Sequence, residues 1–490
     1  MRRPLRPFPR RSLIVAALAC LAAAVPAAGQ QERFRRTPPL PETFRELRLP
    51  DVQTSVQTNG LTVAVNPRPG SPLVTVQLVI LAGEADSPRN RPHTATLAAR
   101  MLGHGSPGLS AGDVELSIES IGGDVSVRTS VDDTVLTFHV LAEQVDRALD
   151  IMRPLILQPE FTETELASVR RAYYYELAEK RKDPEFMGRR HLLHLLFENH
   201  PYQAMTMPED QVKLVTAKDV AAFVARFYRP NNAVFVVSGD VDGPAMTQKI
   251  GQMFAAWLRR DVNRTPPPAP LPNRKERIAF LDFPTAVDFV VFAGNVVMPP
   301  TSPDYYPFLV LNQVLGGSMG SRLFMSLRES KGYAYDAFSE AEFSRSCGVY
   351  WARARVTPET IPAAVREISR ELKDLATTRA VPDEIERAKS FLIGNLPLRF
   401  ASLEGYSERL SRFIALGLGP AHWNRASDSL MLVNAESVLT AAERYFLAVP
   451  VVVIVGNREW AAPALKEFDL VDIYDSAGVY RETLHKGEKK

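Results

Sequence analysis

The sequence predicts an α+β protein built from two copies of one domain, and three observations lead to this prediction. A proline-rich stretch at residues 259–275 divides the chain into two segments of similar length. Each segment has the same succession of an apolar β-branched run, a helical pattern, a turn of small residues and a long helix. Each also closes with an aliphatic strand. Strands and helices that recur in one order are typical of a duplicated α+β domain.

The elements of each segment follow from hydrophobic spacing and from helix-start signals. In the first segment the pattern predicts strands at 73–80 and 233–240, a helix at 94–102 and a long helix that begins near 162. In the second segment it predicts strands at 289–293 and 451–457, a helix at 305–315 and a long helix that begins near 382. Acidic residues open both long helices, where carboxylates meet the partial positive charge of a helix N-terminus.

The N-terminus has the pattern of an export signal. Arginines precede an apolar stretch at residues 13–25 and small residues follow, which together predict a signal peptide at 1–29. Residues 10–14 loosely fit a twin-arginine signal, and an uncleaved signal would tether the chain to a membrane. Cys20 suggests lipidation, although the leucine before it lies one position too close for the usual motif. We therefore expect an exported, periplasmic protein.

Composition predicts the remaining boundaries. We expect an extended polar arm at 30–48, a first domain at 49–258, a stiff linker at 259–275, a second domain at 276–480 and a charged tail at 481–490. The 58 basic and 56 acidic residues leave no charge excess that would indicate a nucleic-acid partner. After signal removal Cys347 is the single cysteine, so an intramolecular disulfide is excluded and a buried, unreactive thiol is expected.

Eight short phrases between residues 199 and 389 resemble the insulinase/pitrilysin metallopeptidase family, whose members are inverzincins. The phrases are Tyr228-Arg-Pro-Asn-Asn-Ala, Ser238-Gly-Asp-Val, Asn199-His-Pro-Tyr, Leu315-Gly-Gly, Ser321-Arg-Leu-Phe, Leu327-Arg-Glu, Gly332-Tyr-Ala-Tyr and Glu386-Arg-Ala-Lys. Each alone is weak, but together they occur in the family order. The resemblance implies two homologous domains, each a mixed or antiparallel sheet packed with helices. Together they would form half of a clamshell with the fold of LuxS and the processing peptidases.

The family resemblance also implies where a zinc site would lie. The family binds zinc through H-x-x-E-H on a helix, because histidines at i and i+4 share one face, and through a distal glutamate. Aligned on Met101 and the Gly105-Ser106 turn, the motif positions hold Thr96, Ala99 and Arg100. Glu176 occupies the position of the distal ligand. We expect no zinc on this chain and an ion pair between Glu176 and Arg100.

The second segment keeps a pair that relatives use for catalysis. Arg328 and Tyr335, seven residues apart, resemble the family's second-domain Arg/Tyr pair. In relatives that pair faces the zinc across a closed chamber. The arginine would bind a peptide carbonyl of the substrate, and the tyrosine hydroxyl would donate to the oxyanion. Tyr333 stands where many relatives have leucine, which is a departure beside the pair.

Other candidate sites have weaker support. His191, His194 and His200 cluster without an intervening carboxylate, so we expect helix-core and turn residues rather than a metal site. His93 and His104 lack partners at ligand spacing and are expected to be surface or hydrogen-bonded residues. Ser318 lies in a G-x-S-x-G pattern, but that nucleophile elbow requires a preceding strand, and a helix is predicted there. Tyr173, Tyr174 and Tyr175 are expected to pack inward on the helix that carries Glu176.

The lead interpretation is the non-zinc subunit of a heteromeric peptidase. Its partner would be a homologous chain that holds the zinc, and its substrates would be peptides. The alternative is a catalytically inactive structural or peptide-binding homologue, and a self-sufficient metallopeptidase with displaced ligands is a third reading. A homodimer is left open.

Overall fold

The computed structural model describes residues 51–262 and 267–486, and the first sheet occupies the N-terminal half of this region. The strands of this half are β1 Gln53–Val56, β2 Thr62–Pro67, β3 Leu73–Ile80, β4 Gly105–Ser106, β5 Leu109–Ser110, β6 Asp124–Thr129, β7 Thr134–Leu141 and β8 Ala233–Gly239. Its helices are α1 Thr94–Met101, α2 Ala111–Ser120, α3 Val145–Leu157, α4 Glu163–Lys180, α5 Pro184–Leu196, α6 Ala217–Phe227 and α7 Gly243–Met253.

Six strands form the first sheet in the order β1-β2-β8-β3-β7-β6, while β4 and β5 make a separate short hairpin. β2 and β8 are parallel, and every other neighbouring pair in the sheet is antiparallel. The central strands β3 and β8 are buried along almost their whole length. Their near-continuous apolar sequences follow from this, because a strand covered on both faces needs apolar residues at every position.

The second sheet occupies the C-terminal half. Its strands are β9 Arg277–Asp282, β10 Phe289–Val297, β11 Ala334–Phe343, β12 Gly348–Val356, β13 Val451–Gly456, β14 Leu470–Asp475 and β15 Tyr480–His485. The helices of this half are α8 Tyr305–Gly316, α9 Ile361–Thr377, α10 Pro382–Arg399, α11 Leu403–Ala415, α12 Ala426–Met431, α13 Ala435–Phe446 and α14 Arg458–Leu465. A π-helical segment, Phe324–Ser330, lies between α8 and β11.

The two sheets repeat one topology. The second has the order β11-β12-β10-β13-β9-β14-β15, and its first five strands correspond to β6-β7-β3-β8-β2 of the first. The parallel pair, β13 with β9, recurs at the place of β8 with β2. The halves differ at one edge, which β1 closes in the first sheet and β14 and β15 close in the second. The predicted duplicated α+β fold is therefore confirmed.

Each half also covers the other half's sheet with one helix. Helix α5 packs on β10 and β13 of the second sheet, and α11 packs on β3 and β8 of the first. Gly188 lets α5 approach closely, because a Cβ there would lie 2.6 Å from Phe292 Cε2 and 2.7 Å from Val455 Cγ2. On α11, Tyr406 and Leu410 are buried against the first sheet. The opposite face of each sheet packs against helices of its own half. These two exchanged helices form packing contacts between the halves.

Helix capping explains where the long helices begin. Thr162 caps α4 by accepting a hydrogen bond from the backbone N–H of Glu165, and Glu163 and Glu165 occupy the first turn. Pro382 opens α10, with Asp383 and Glu384 in its first turn. The predicted acidic helix starts are confirmed in both halves.

The segment predicted as a charged tail includes part of a strand. Residues 481–485 of the predicted tail are strand, because β15 pairs antiparallel with β14. The charges that suggested a tail are matched on this edge strand, Arg481 with Asp475 and Glu482 with Arg458. Charged side chains are common on exposed edge strands, where they discourage further pairing.

The remaining predicted segments are the signal peptide, the arm and the linker. The predicted signal peptide at 1–29 and arm at 30–48 lie outside the described residues, and so do 487–490. Residues 259–262 and 267–275 of the predicted linker form neither helix nor strand. The domain limits 49–258 and 276–480 remain predictions. Over 51–262 and 267–486, none of the helices has both the length and the apolar character needed to cross a membrane.

Candidate functional site

Helices α1 and α4 bring together the positions at which the family resemblance places a zinc site. Thr96 and Arg100 lie one turn apart on α1 and therefore share a face of the helix. Ala99, between them, is buried. Glu176 lies on α4, next to the end of the Arg100 side chain. The alignment of these four positions with a metal site is thus geometrically consistent.

Glu176 is engaged by two cations. Arg100 Nη2 donates to Glu176 Oε2 at 2.6 Å, and Lys180 Nζ donates to Oε1 of the same carboxylate at 2.7 Å. The Arg100 guanidinium also lies over the ring of Tyr173, 4.4 Å from its centroid. Burial favours a higher pKa for Glu176, but the hydrogen bonds and charges of Lys180 and Arg100 outweigh it, and its pKa lies below the usual value. The predicted Arg100–Glu176 ion pair is confirmed.

Glu84 is a buried carboxylate that sequence reasoning missed. Thr96 donates to its Oε1 from both the backbone N–H, at 2.8 Å, and the side-chain hydroxyl, at 2.5 Å. Ser87 Oγ and the backbone N–H of His93 donate to its Oε2 at 2.9 and 3.1 Å. His93, the residue before α1, is left-handed (φ 69°) and its side chain caps nothing, so Glu84 performs the capping instead.

These residues do not fit a zinc ion. Zinc sites in enzymes use three protein ligands drawn from His, Cys, Asp and Glu. Here the two histidine positions hold a hydroxyl and a guanidinium, and the remaining carboxylate is already paired with Arg100 and Lys180. Within the described part of the chain, no group of three or more His, Cys, Asp or Glu residues is placed to hold a metal ion.

Arg328 and Tyr335 lie on neighbouring elements at one edge of the second sheet. Arg328 is in the π-helical segment, where its guanidinium stacks on Phe324 at 4.9 Å and its nearest carboxylate is the adjacent Glu329, 3.7 Å away. Tyr335 is the extra residue of a β-bulge at the start of β11 and is 61% exposed. Bulges and π-helical turns are frequent at functional sites because they re-aim side chains.

A buried carboxylate anchors the segment that carries Arg328. Ser326 Oγ and Lys331 Nζ, on either side of Arg328, both donate to Glu367 of helix α9. Arg370 pairs with the same carboxylate. The hydrogen bond from Arg370, together with those from Lys331 and Ser326, outweighs burial and lowers the pKa of Glu367 to about 2. One ionised group therefore holds the segment on both sides of Arg328.

A cavity of about 690 Å³ lies between the halves. Its walls include Thr96, Arg100 and Glu176 from the first half, and Glu342 and Val349 from the second. Arg328 and Tyr335 do not line it. Within this chain the structure therefore does not bring the Arg/Tyr pair and the α1–α4 positions into one site.

Two family models match the chain. The model described as "Insulinase (Peptidase family M16)" matches residues 62–210, and the model described as "Peptidase M16 inactive domain" matches residues 214–392. The two matches follow one another and together cover about two thirds of the chain. The chain belongs to the insulinase (peptidase M16) family.

Relatives of this family member carry two kinds of name. The non-peptidase homolog YmxG of Helicobacter pylori is 24% identical over 355 residues, which is 72% of this chain and 82% of that protein. An uncharacterized zinc protease of Mycobacterium tuberculosis is 25% identical over 360 residues, which is 72% of this chain and 80% of that protein.

Solved structures support the same fold. The peptidase M16 inactive domain from Pseudomonas fluorescens superposes with a TM-score of 0.76 at 21% identity, covering 83% of this chain and 98% of that one. A protease from Helicobacter pylori gives a TM-score of 0.74 at 19% identity, covering 83% of this chain and all of that one. The family's two-domain α+β architecture is therefore shown for this chain.

The five histidines considered as candidate ligands in this insulinase-family chain have structural partners. His191 is buried edge-to-face against Tyr474, and burial lowers its pKa to about 3. His194 Nδ1 lies 2.9 Å from Thr206 Oγ1. The other three make the following hydrogen bonds: His200 Nε2 with Pro268 O at 2.8 Å, His93 Nε2 with Pro208 O at 3.3 Å, and His104 Nδ1 with Glu165 Oε2 at 3.3 Å. All five fit the packing and hydrogen-bonding roles expected of them.

Two further predictions are confirmed and one is partly wrong. The residues before Ser318 form helix α8, so the serine is not on a nucleophile elbow. Cys347 is buried, which raises the pKa of its thiol to about 12 and makes it unreactive. Tyr173 packs inward, but Tyr175 is exposed. Consecutive residues point in different directions around a helix, so three adjacent tyrosines cannot all be buried on one side.

Proposed function

We propose that this chain is the non-zinc subunit of a heteromeric insulinase-family peptidase, in which Arg328 and Tyr335 act on a peptide held against a partner chain. The carrying observation is that both side chains are accessible, Arg328 on the anchored π-helical segment and Tyr335 on the neighbouring bulge of β11, and that both lie outside the chain's own cavity. No hydrogen bond joins the Tyr335 hydroxyl to any other described residue. That hydroxyl can therefore donate to a ligand without breaking an internal contact.

The two side chains would divide the work. The Arg328 guanidinium can direct two N–H donors at a backbone carbonyl of the substrate and so fix its position. The Tyr335 hydroxyl can donate to the oxyanion that forms when water attacks the peptide bond. A single donor of this kind contributes about 10²–10³ in rate.

The first half supports assigning the zinc to the partner. Thr96, Ala99 and Arg100 would be the degenerate positions of the family's motif, and Glu176 the remaining ligand. Because the Arg100 guanidinium occupies the carboxylate, a metal ion would have to displace a permanent positive charge. The partner would then be a homologous chain with an intact H-x-x-E-H motif.

A second candidate function is a catalytically inactive peptide-binding homologue. The observation that favours it is the cavity between the halves, whose volume of about 690 Å³ falls within the usual range for ligand sites. This function needs no partner chain.

Purification of the chain alone and together with a homologous H-x-x-E-H chain separates these functions. We expect the lone chain to carry no zinc and to leave an unstructured quenched-fluorescence peptide uncut. The pair should contain one zinc per heterodimer and cleave the peptide. Stoichiometric zinc and cleavage by the lone chain would contradict the proposal, and failure of the two chains to associate would favour the peptide-binding function.

We also propose that the chain acts in the periplasm, either released by cleavage of the signal at 1–29 or tethered by it. Fractionation of the native host followed by mass measurement of the mature N-terminus tests this. Recovery of the full-length chain from the cytoplasm would contradict it.

A further inference from the structure

The cavity between the halves has an excess of positive charge on its walls. The cationic residues that line it are Arg100, Arg128, Lys180, Arg189, Arg190 and Arg412. The carboxylates paired with them are Glu176, Glu342 and Asp133. Six cations against three carboxylates leave three positive charges in excess, although the whole chain has a formal net charge of only +2.

Two of the three excess charges arise because carboxylates are shared. Glu176 serves both Arg100 and Lys180. Asp133 lies 2.8 Å from Arg128 Nη2 and 3.8 Å from Arg412 Nη1. Each shared carboxylate leaves one cation without a full counter-charge, so two parts of the wall can accept an anion.

The third excess charge belongs to Arg190. Its Nε and Nη2 donate to the carbonyl oxygens of Thr206 and Met207, and its Nη1 has only the sulfur of Met187, at 3.9 Å. No carboxylate forms an ion pair with this guanidinium within the described chain. Burial lowers the pKa of Arg190 from the usual value, although the buried Glu209 nearby, which is paired with Arg181, opposes that shift. Burying a charge opposite neutral acceptors is unfavourable, and a carboxylate in the cavity would relieve that cost.

Nearby carboxylates do not cancel this excess. Glu84 already accepts four hydrogen bonds from Ser87, His93 and Thr96. Asp132 accepts from the hydroxyl of Tyr202 and the backbone N–H of Arg345. Both carboxylates are buried behind the cavity wall and do not line it.

We propose that this cavity binds acidic peptide segments, with carboxylates of the peptide engaging Arg190 and the cations that share Glu176 and Asp133. Guanidinium groups match carboxylates with paired N–H donors. Apolar residues such as Leu177, Phe186 and Leu193 also line the cavity, so the wall fits aliphatic and backbone atoms as well as charge. Lys180 and Arg128 are partly exposed, which leaves the cavity reachable from solvent. The inference goes beyond the proposed function and stands without a partner chain.

Calorimetric titration of the purified chain with two synthetic octapeptides tests the proposal. One peptide carries four glutamates among alanines and glycines, and the other carries glutamines at the same positions. We expect the acidic peptide to bind about tenfold or more tightly than its neutral counterpart at low salt, and the difference to shrink as salt screens the charges. Equal binding of the two peptides would overturn the proposal. So would inorganic phosphate, if it competed as strongly as the peptide at equal concentration.

Three variants test whether the acidic peptide binds in the cavity. Glu176→Gln removes a carboxylate and frees two cations, so it should tighten acidic-peptide binding roughly fivefold. Arg100→Gln with Lys180→Gln should weaken binding by a similar factor or more. Lys182→Gln, two residues beyond Lys180 and paired with Glu179 outside the cavity, should leave binding unchanged. Thermal unfolding checks that each variant is folded.

The opposite signs are the decisive readout, because a variant that merely damages the fold cannot tighten binding. Unchanged affinity in both Glu176→Gln and the double variant would overturn the cavity as the site. If the lone chain binds acidic peptide as expected while the mixed chains cleave nothing, this inference survives and the proposed peptidase role fails.

Discussion

The α1–α4 region and the Arg328 segment differ in whether their polar groups are already used. In the first, the Glu176 carboxylate is held by both Arg100 and Lys180, and Thr96 is bonded to Glu84. In the second, the Tyr335 hydroxyl is exposed and the carboxylate nearest Arg328 is its own neighbour in the chain. A carboxylate already held by two cations is poorly suited to bind a metal ion, whereas accessible donors held on a rigid support are suited to a substrate. The catalytic role that we propose for this chain therefore lies in its second half.

The largest expected effect is a gain of zinc by the first region. Thr96→His with Arg100→His would put two imidazoles one turn apart on α1, opposite a Glu176 freed from its arginine, which completes three ligands. We expect metal analysis to change from no zinc to about one zinc per chain. The same double variant with Glu176→Gln is the control and should bind far less. A folded double variant that stays free of zinc would contradict the alignment of α1 and α4 with a metal site.

The stability of the Arg328 segment should depend on the buried carboxylate of Glu367. Glu367→Gln removes the charge that holds Ser326 and Lys331, so the Arg328 segment should loosen. We expect unfolding in urea to show a loss of about 1–3 kcal/mol, because charged hydrogen bonds to a buried group are lost. Cleavage by the mixed chains should fall with it. Asp374→Asn is the matched control, since Asp374 also pairs with Arg370 but has no hydrogen bond to Ser326 or Lys331. If both variants lost the same stability and cleavage rate, Glu367 would have no role in holding the Arg328 segment.

The same anchor predicts a pH dependence. The pKa of folded Glu367 is about 2, below the usual glutamate value, so its ionised form stabilises the folded chain above about pH 4.5. This contribution is lost as the pH falls from about 4.5 towards 2. The stability difference between the wild type and Glu367→Gln should therefore be constant at pH 5–7 and shrink on acidification. A difference that grew towards low pH would contradict this assignment.

The smallest effect is expected from the ion pair of the first region. The side chains of Arg100 and Glu176 are 33% and 38% exposed, and pairs this accessible contribute roughly 0–1 kcal/mol because solvent screens them. Glu176→Gln should therefore change the free energy of unfolding by less than about 1 kcal/mol in a urea titration. A loss of several kcal/mol would mean that these charges are a structural requirement of the first half.

Much of the fold could be predicted because local patterns and tertiary structure agree. The apolar run at Leu73–Ile80 is a central strand with the predicted limits, and α8 covers Tyr305–Gly316 with its glycine end. The edge strand β15 could not be predicted from its composition, because a short, exposed and charged strand has the same composition as a charged tail. The crossing of α5 and α11 onto opposite sheets depends on contacts between residues far apart in sequence, which no local pattern reveals.

The site could be predicted only where the family resemblance allowed its positions to be aligned with this sequence. That alignment predicted an ion pair between Arg100 and Glu176, which are 76 positions apart, and the ion pair is present. Lys180, one turn after Glu176, was not recognised as its second cation, although the spacing of four residues would have indicated it. Glu84 caps α1 from an earlier turn, and no residue spacing indicates such a contact. The bulge that exposes Tyr335 is likewise a property of strand pairing rather than of the sequence around it.

The central claim is that this chain supplies the oxyanion donor of a composite active site. The most direct test is the rate of peptide cleavage by the mixed chains with Tyr335→Phe compared with Tyr480→Phe. Tyr480 is 53% exposed on β15, at the opposite edge of the same sheet. The account predicts a loss of about 10²–10³ for Tyr335→Phe and no change for Tyr480→Phe, with heterodimer formation intact in both. An unchanged rate with Tyr335→Phe in a stable, zinc-loaded pair would contradict the claim.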